Sequence, residues 1–249
     1  MTRLTDEKYW NDGYKGIQLS EATEGPLADL LNTYVDKVEN KACIEIGSFP
    51  GTYLPVIGRK GYSLSGIDFN ERNKTDLPGW LSHLGLKVDG FYSGDFFEFV
   101  KNENKKYDLV CSFGFIEHFE NYLEVIQAHL DMVAPGGKII ITTPNFKGWM
   151  QYFPHLFFDK ENLAKHNVKS MAPDKWKLLI ESNNFKVTWC GYFGKYYFWY
   201  DPAEHRSKIK MTLLKNVNRL IFNLNKLIKK SGKESRAYSA FCGIVAEKK

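Results

Sequence analysis

Seven short apolar runs, most of them separated by stretches of helical spacing, constrain this chain more than any other feature. They are 42–47 (ACIEIG), 62–69 (YSLSGIDF), 86–93 (LKVDGFYS), 107–113 (YDLVCSF), 138–143 (KIIITT), 185–193 (FKVTWCGYF) and 240–246 (AFCGIVA). Helical candidates lie at about 26–38, 51–60, 71–84, 96–103, 117–134 and 174–183. In the first, Leu27, Leu30, Leu31, Tyr34, Val35 and Val38 share a face, and Pro26 suits a first turn. Leu123, Ile126, Leu130 and Val133 form the stripe of 117–134. Strands that alternate with helices, several apolar on both faces, predict an α/β fold with a doubly wound, seven-stranded, mostly parallel sheet covered on both sides. About 45 residues without a crossover helix of the usual length part the last two runs, so the last strand is expected to return antiparallel.

At 249 residues and 43% hydrophobic content, the chain is read as a single domain, 1–249, able to bury its own core. Residues 1–40 form N-terminal helices or a lid, 41–145 the ligand-binding half, and 146–172 and 194–236 substrate-side insertions. No stretch approaches the ~18 apolar residues of a membrane span. The start, MTRLTDEKYWND, lacks an apolar signal core, so a cytoplasmic location is expected. Cys43, Cys111, Cys190 and Cys242 form no CxxC pair and read as buried thiols in strands.

In open α/β sheets, ligands bind outside the carboxyl ends of the strands. The runs deliver there Glu45-Ile46-Gly47-Ser48-Phe49-Pro50-Gly51, then Asp68, Asp95, Ser112-Phe113-Gly114 with Glu117-His118, and Thr142-Thr143-Pro144-Asn145. Gly47 and Gly51 permit a tight turn and close backbone approach, or are simply turn glycines. Asp68 follows Gly47 by 21 residues, the spacing at which a carboxylate reaches ribose hydroxyls. Asp68 and Asp95 also read as helix N-caps, and Asp108 as a residue that orders a strand start. A dinucleotide fingerprint fails at Phe49 and Thr52, and no GxxxxGK[ST] is present. A nucleoside site without a pyrophosphate cradle remains, suited to a ligand with adenine, ribose and an amino-acid tail.

At these residues the chain resembles the class I S-adenosylmethionine-dependent methyltransferases, most closely the small-molecule branch that includes the ubiquinone-type enzymes. The matches are E-x-G-x-x-x-G at 45–51, the acidic strand end at Asp68, G-D at 94–95, YDLV…EHF at 107–119 and APGGKIIITTPN at 134–145. The resemblance implies a Rossmann-like fold with S-adenosylmethionine as cofactor. Glu45, Gly47, Ser48 and Gly51 would line its methionine end, with Phe49 beside the tail. Asp68 would hold the ribose with Phe69 against the adenine, Asp95 would accept from the adenine amino group with Phe96 beside it, and Ser112 and Phe113 would floor the site. Phe49 stands where the family commonly has a second glycine.

His118 is the candidate general base, with a structural role as the alternative; His155 and His166 are second-tier. Glu117-His118 suggests half of a metal pair, but no further ligands appear at sensible spacing, so no metal is expected. Tyr9 and Trp10 in the lid, His155 and Tyr197 are candidate substrate contacts. The expected reaction is O-methylation of a small polar acceptor, a sugar-derived or other specialised metabolite. The alternatives are a lipid or lipid-linked acceptor at a membrane surface and a non-catalytic cofactor-binding subunit.

The net charge of +5 is local: Arg206 to Lys233 holds nine basic residues and no acidic one, which leaves −4 elsewhere. Ile209, Leu213, Val217, Leu220, Ile221, Leu224, Leu227 and Ile228 recur there at helical spacing. Three readings stand: a helix that caps the domain or pairs with a second subunit, a helix on a membrane surface, and a binder of RNA or a phosphorylated acceptor. DNA base methylation is disfavoured, because SFGF stands where a [DNS]PP[YFW] run would be.

Overall fold

The computed structural model describes residues 2–196, 198, 208–228 and 234–249, with side chains to 224 in the third segment. The strands are β1 (Lys41–Ile46), β2 (Tyr62–Asp68), β3 (Val88–Ser93), β4 (Tyr107–Phe113), β5 (Val133–Pro144), β6 (Phe185–Phe193) and β7 (Phe241–Lys248). They form one sheet in the order β3-β2-β1-β4-β5-β7-β6. β7 pairs antiparallel with both neighbours, and the other pairings are parallel. The reversal of β7 follows from the long excursion after β6, which returns the chain to the same sheet end it left.

The helices are α1 (Glu7–Gly13), α2 (Pro26–Tyr34), α3 (Leu54–Gly58), α4 (Arg72–Thr75), α5 (Leu77–His83), α6 (Phe96–Asn102), α7 (Tyr122–Asp131), α8 (Trp149–Phe158), α9 (Lys160–Ala164), α10 (Pro173–Ser182) and α11 (Lys208–Ile228). Strand alternation splits the core in two. Ile44, Ile46, Val110, Ile139 and Ile141 point to one face, beneath α6, α7 and α10. Cys43, Leu64, Leu109, Cys111 and Ile140 point to the other, beneath α2, α3 and α5. Of the four free thiols only Cys190 is not buried. The order reverses direction between β1 and β4, which puts the ligand crevice at their carboxyl ends.

Several local expectations need correction. The helix expected at 71–84 is two: Pro78 has no N–H to bond back to Lys74, so the chain breaks between α4 and α5. The stretch 117–134 starts as a 3-10 turn at Ile116–His118, and α7 begins only at Tyr122. Its buried face is therefore Tyr122, Val125, Ile126, His129 and Leu130, while Leu123 is exposed. Val133 belongs to β5, and Pro135-Gly136-Gly137 is a bulge inside that strand, where pairing jumps from Tyr107↔Val133 to Leu109↔Lys138. The insertion at 146–172, for which no helix was expected, folds into α8 and α9.

Candidate active site

β1 ends at Ile46, and Gly47 turns the chain with φ +73°, a region that L side chains avoid. A Cβ at Gly47 would lie 2.8 Å from the Phe115 ring, so the turn and the ring behind it exclude any larger residue. The turn is tied to β2 by bonds from the amides of Gly47 and Ser48 to the Ile67 carbonyl, at 2.9 and 3.3 Å. The Phe49 amide donates to Asp68 Oδ2 at 3.2 Å, and the Asn70 amide to Oδ1 at 2.8 Å. Asp68 is thus held at the end of β2 by backbone alone. Burial pushes its carboxyl up to about 6, against the opposing pull of those amides.

A cleft opens above this turn. Glu45, Gly47, Phe49, Gly51, Asp68 and Phe69 line it from the first two strand ends, and the backbone of Ser48 joins them. Phe96, Phe113 and His118 line it from the rest of the sheet. Glu45 is buried, and its Oε2 meets no hydrogen-bond partner among the described residues. Burial, and then the charge of Asp68, raises its carboxyl well above the ordinary range. A buried carboxylate with an unused oxygen at a ligand cleft is the acceptor that an ammonium group needs. The glycine turn, the backbone-held Asp68 and the unpartnered Glu45 together fit an adenosyl amino acid.

Four expected positions are placed differently. Ser48 Oγ turns away and donates to Asn73 Oδ1 at 2.8 Å. Ser112 is buried in the core, where its hydroxyl donates to His129 Nε2 at 3.1 Å, so it does not floor the cleft. Asp95 lies beside the cleft as the N-cap of α6, accepting from the amides of Phe97 and Glu98 at 2.7 and 3.0 Å. His155, on the buried face of α8, is fully buried with Nδ1 on Asp159 Oδ2 at 3.0 Å. Tyr197 lies outside the described residues. Phe49 is buried at the cleft wall, edge-on to Tyr14 with centroids 5.4 Å apart and beneath the Arg72 guanidinium.

The N-terminal strap was only partly legible. Trp10 lines the cleft edge-on to His118 at 4.9 Å, and its indole N–H donates to Thr5 Oγ at 3.1 Å. Tyr9 sits behind it under the Lys165 ammonium. Arg3 had no sequence signal at all. Its guanidinium stacks on Phe69 at 4.6 Å and pairs with Asp95, the two residues expected to hold an adenine. Burial opposes charge on Asp95, but Arg3 and the α6 amides outweigh it and hold the carboxyl below its usual range.

His118 Nδ1 lies 2.9 Å from the Lys165 carbonyl, which can only accept, so Nδ1 carries the proton and Nε2 the lone pair. Burial, with His166 next in weight, pushes this imidazole down to about 3. His166 is the partner that spacing hid. Glu117, His118 and His166 offer donor atoms all within 4.8 Å of one another. His166 Nδ1 likewise faces a carbonyl, of Asn162, at 2.7 Å. Two neutral imidazoles and one carboxylate are a donor set able to hold a divalent cation.

A family profile described as a methyltransferase domain matches residues 19–189. The chain is 24% identical over 140 residues to a ubiquinone biosynthesis O-methyltransferase of Rickettsia canadensis (strain McKiel), covering 55% of this chain and 58% of that one. It is 27% identical over 124 residues to the enzyme of the same description from Shewanella pealeana, covering 48% and 52%. The chain thus spans a little over half the length of these relatives. A SAM-dependent methyltransferase from Archaeoglobus fulgidus shares the fold with a TM-score of 0.56 at 17% identity, over 98% of this chain and 95% of that one. The chain belongs to the class I S-adenosylmethionine-dependent methyltransferases.

Proposed function

We propose that this methyltransferase O-methylates a small aromatic hydroxyl acceptor. The observation that carries the reading is His118: it lines the cleft with a lone pair on Nε2, among Trp10, Phe115 and Phe119. Flat apolar walls favour an aromatic ring, and a phenolic hydroxyl yields its proton more readily than a sugar hydroxyl. The similarity to ubiquinone biosynthesis O-methyltransferases supports the same choice over a sugar-derived acceptor.

S-adenosylmethionine supplies an electrophilic methyl group on a sulfonium. Glu45 would accept from the amino end of its tail, and Asp68 would accept from the ribose hydroxyls. Phe69 would flank the adenine, and Asp95, beside the cleft, would reach its amino group with Arg3 displaced. His118 Nε2 accepts a hydrogen bond from the acceptor's hydroxyl and takes its proton as the O–CH3 bond forms, when that oxygen is acidic enough for a base held near 3, and the carbonyl of Lys165 keeps the ring in the required tautomer. The strap from Arg3 to Tyr14 shields the cleft from water.

His118→Gln is expected to lower kcat on catechol-type acceptors by about 10²-fold or more, with cofactor affinity unchanged. Unchanged kcat would remove His118 from the reaction. The cluster with Glu117 and His166 supports a second reading, in which a divalent cation polarises the acceptor hydroxyl. Dialysis against a chelator separates the two. Activity lost and then restored by added cation supports the metal, and activity retained supports the base.

A further inference from the structure

We propose that the outward face of α8 and α11 docks on a membrane surface that carries anionic lipid. Both helices pack onto one small apolar cluster, Met150 and Phe158 from α8 and Met211, Leu214 and Ile221 from α11, gathered with Tyr196 and Phe198. That contact uses one edge of each helix. On α8 it leaves Trp149, Phe153 and Phe157 in an i, i+4, i+8 stripe, with Trp149 62% and Phe157 67% exposed. On α11 it leaves Ile209, Leu213, Leu220 and Leu224 on a shared face, with Ile209 82% exposed.

Eight of the twelve large exposed apolar side chains among the described residues lie on these two helices. A surface that has merely to be wetted does not concentrate them so. Charge selects the occupant. Lys208, Lys215 and Arg219 run along another edge of α11 and are exposed, and no acidic residue occurs from Arg206 to Lys233. A second copy of the chain would bring these like charges together. Anionic headgroups neutralise them while the acyl boundary takes the aromatic and aliphatic side chains. Each basic residue near such a surface strengthens binding about fivefold.

α8 follows the carboxyl end of β5, the sheet end that carries the cleft, so docking brings a lipid-phase acceptor to the active-site side. The docking itself does not depend on the methyl-transfer reading.

The test is flotation of the full chain with vesicles of phosphatidylglycerol and phosphatidylcholine, and of phosphatidylcholine alone. Three double variants are compared: Trp149→Ser with Phe157→Ser, Leu213→Ser with Leu220→Ser, and Lys215→Glu with Arg219→Glu. Thermal midpoint and cofactor calorimetry without lipid monitor folding and the methyltransferase reading separately. The expected result is binding to the anionic vesicles only, weakened by salt, and reduced at least tenfold in every variant. Wild-type protein that stays off anionic vesicles would overturn the proposal. So would variants that bind as wild type does, or a serine pair that turns a dimer into a monomer in sedimentation.

Discussion

Arg3 stacks on Phe69 and pairs with Asp95, the two residues proposed to hold the cofactor's adenine. Under that proposal the cofactor would spend part of its binding free energy to displace it. Arg3→Ala is therefore expected to tighten S-adenosylhomocysteine binding by about three- to tenfold, a gain of roughly 1 kcal/mol. Weaker binding in that variant would show that Arg3 contacts the ligand instead. Glu45 and Asp68 were legible because they end strands at the spacing a nucleoside requires. Arg3 was not, because nothing in a basic residue's own neighbourhood records that the chain returns it across the sheet. The partnership of His166 with Glu117 was hidden in the same way: 48 residues and two unforeseen helices separate His118 from it.

At the scale of elements, β4 shows how alternation decides roles. Ser112 and Phe113 were both read as the floor of the cleft, yet neighbouring strand residues face opposite ways. Phe113 reaches the cleft beside Tyr53, whereas Ser112 meets His129 of α7 in the core. Ser112→Ala would strand His129 Nε2 without a donor. It is expected to lower stability by about 1–3 kcal/mol in urea unfolding while cofactor affinity stays within about twofold. A variant of full stability that binds cofactor poorly would return Ser112 to the site. The strands and their mostly parallel pairing were readable because buried parallel strands must be apolar on both faces. Helix boundaries were less so, since Pro78 and the 3-10 turn at Ile116–His118 shift the phase of an apolar stripe without changing its composition.

Across the whole molecule, protonation is set by burial. His118, His129 and His166 are pushed down to about 3, 4 and 4, each mainly by desolvation. A folded-state value below the unfolded one, about 6.5, means that the unfolded chain binds more protons between the two. The stability each neutral imidazole contributes is present above that window and is lost as pH falls through it. Asp68, pushed up to about 6 by burial, acts in the opposite sense, as does Glu45. The net profile is therefore blunted, and a single-site difference is the sharper probe. The stability advantage of wild type over His129→Gln should narrow as pH falls from 7 to 4.5. An advantage that is constant over that range would show that His129 is charged, or solvated, in the fold.

The most direct test of the whole account is calorimetric titration of wild type and Asp68→Ala with S-adenosylmethionine and S-adenosylhomocysteine. Micromolar binding by wild type is expected. It should weaken about a hundredfold in the variant, because two hydrogen bonds to a carboxylate are removed together. Well-folded wild-type protein that binds neither ligand, or a variant that binds as tightly as wild type, would contradict the cofactor site derived from Glu45, Gly47 and Asp68.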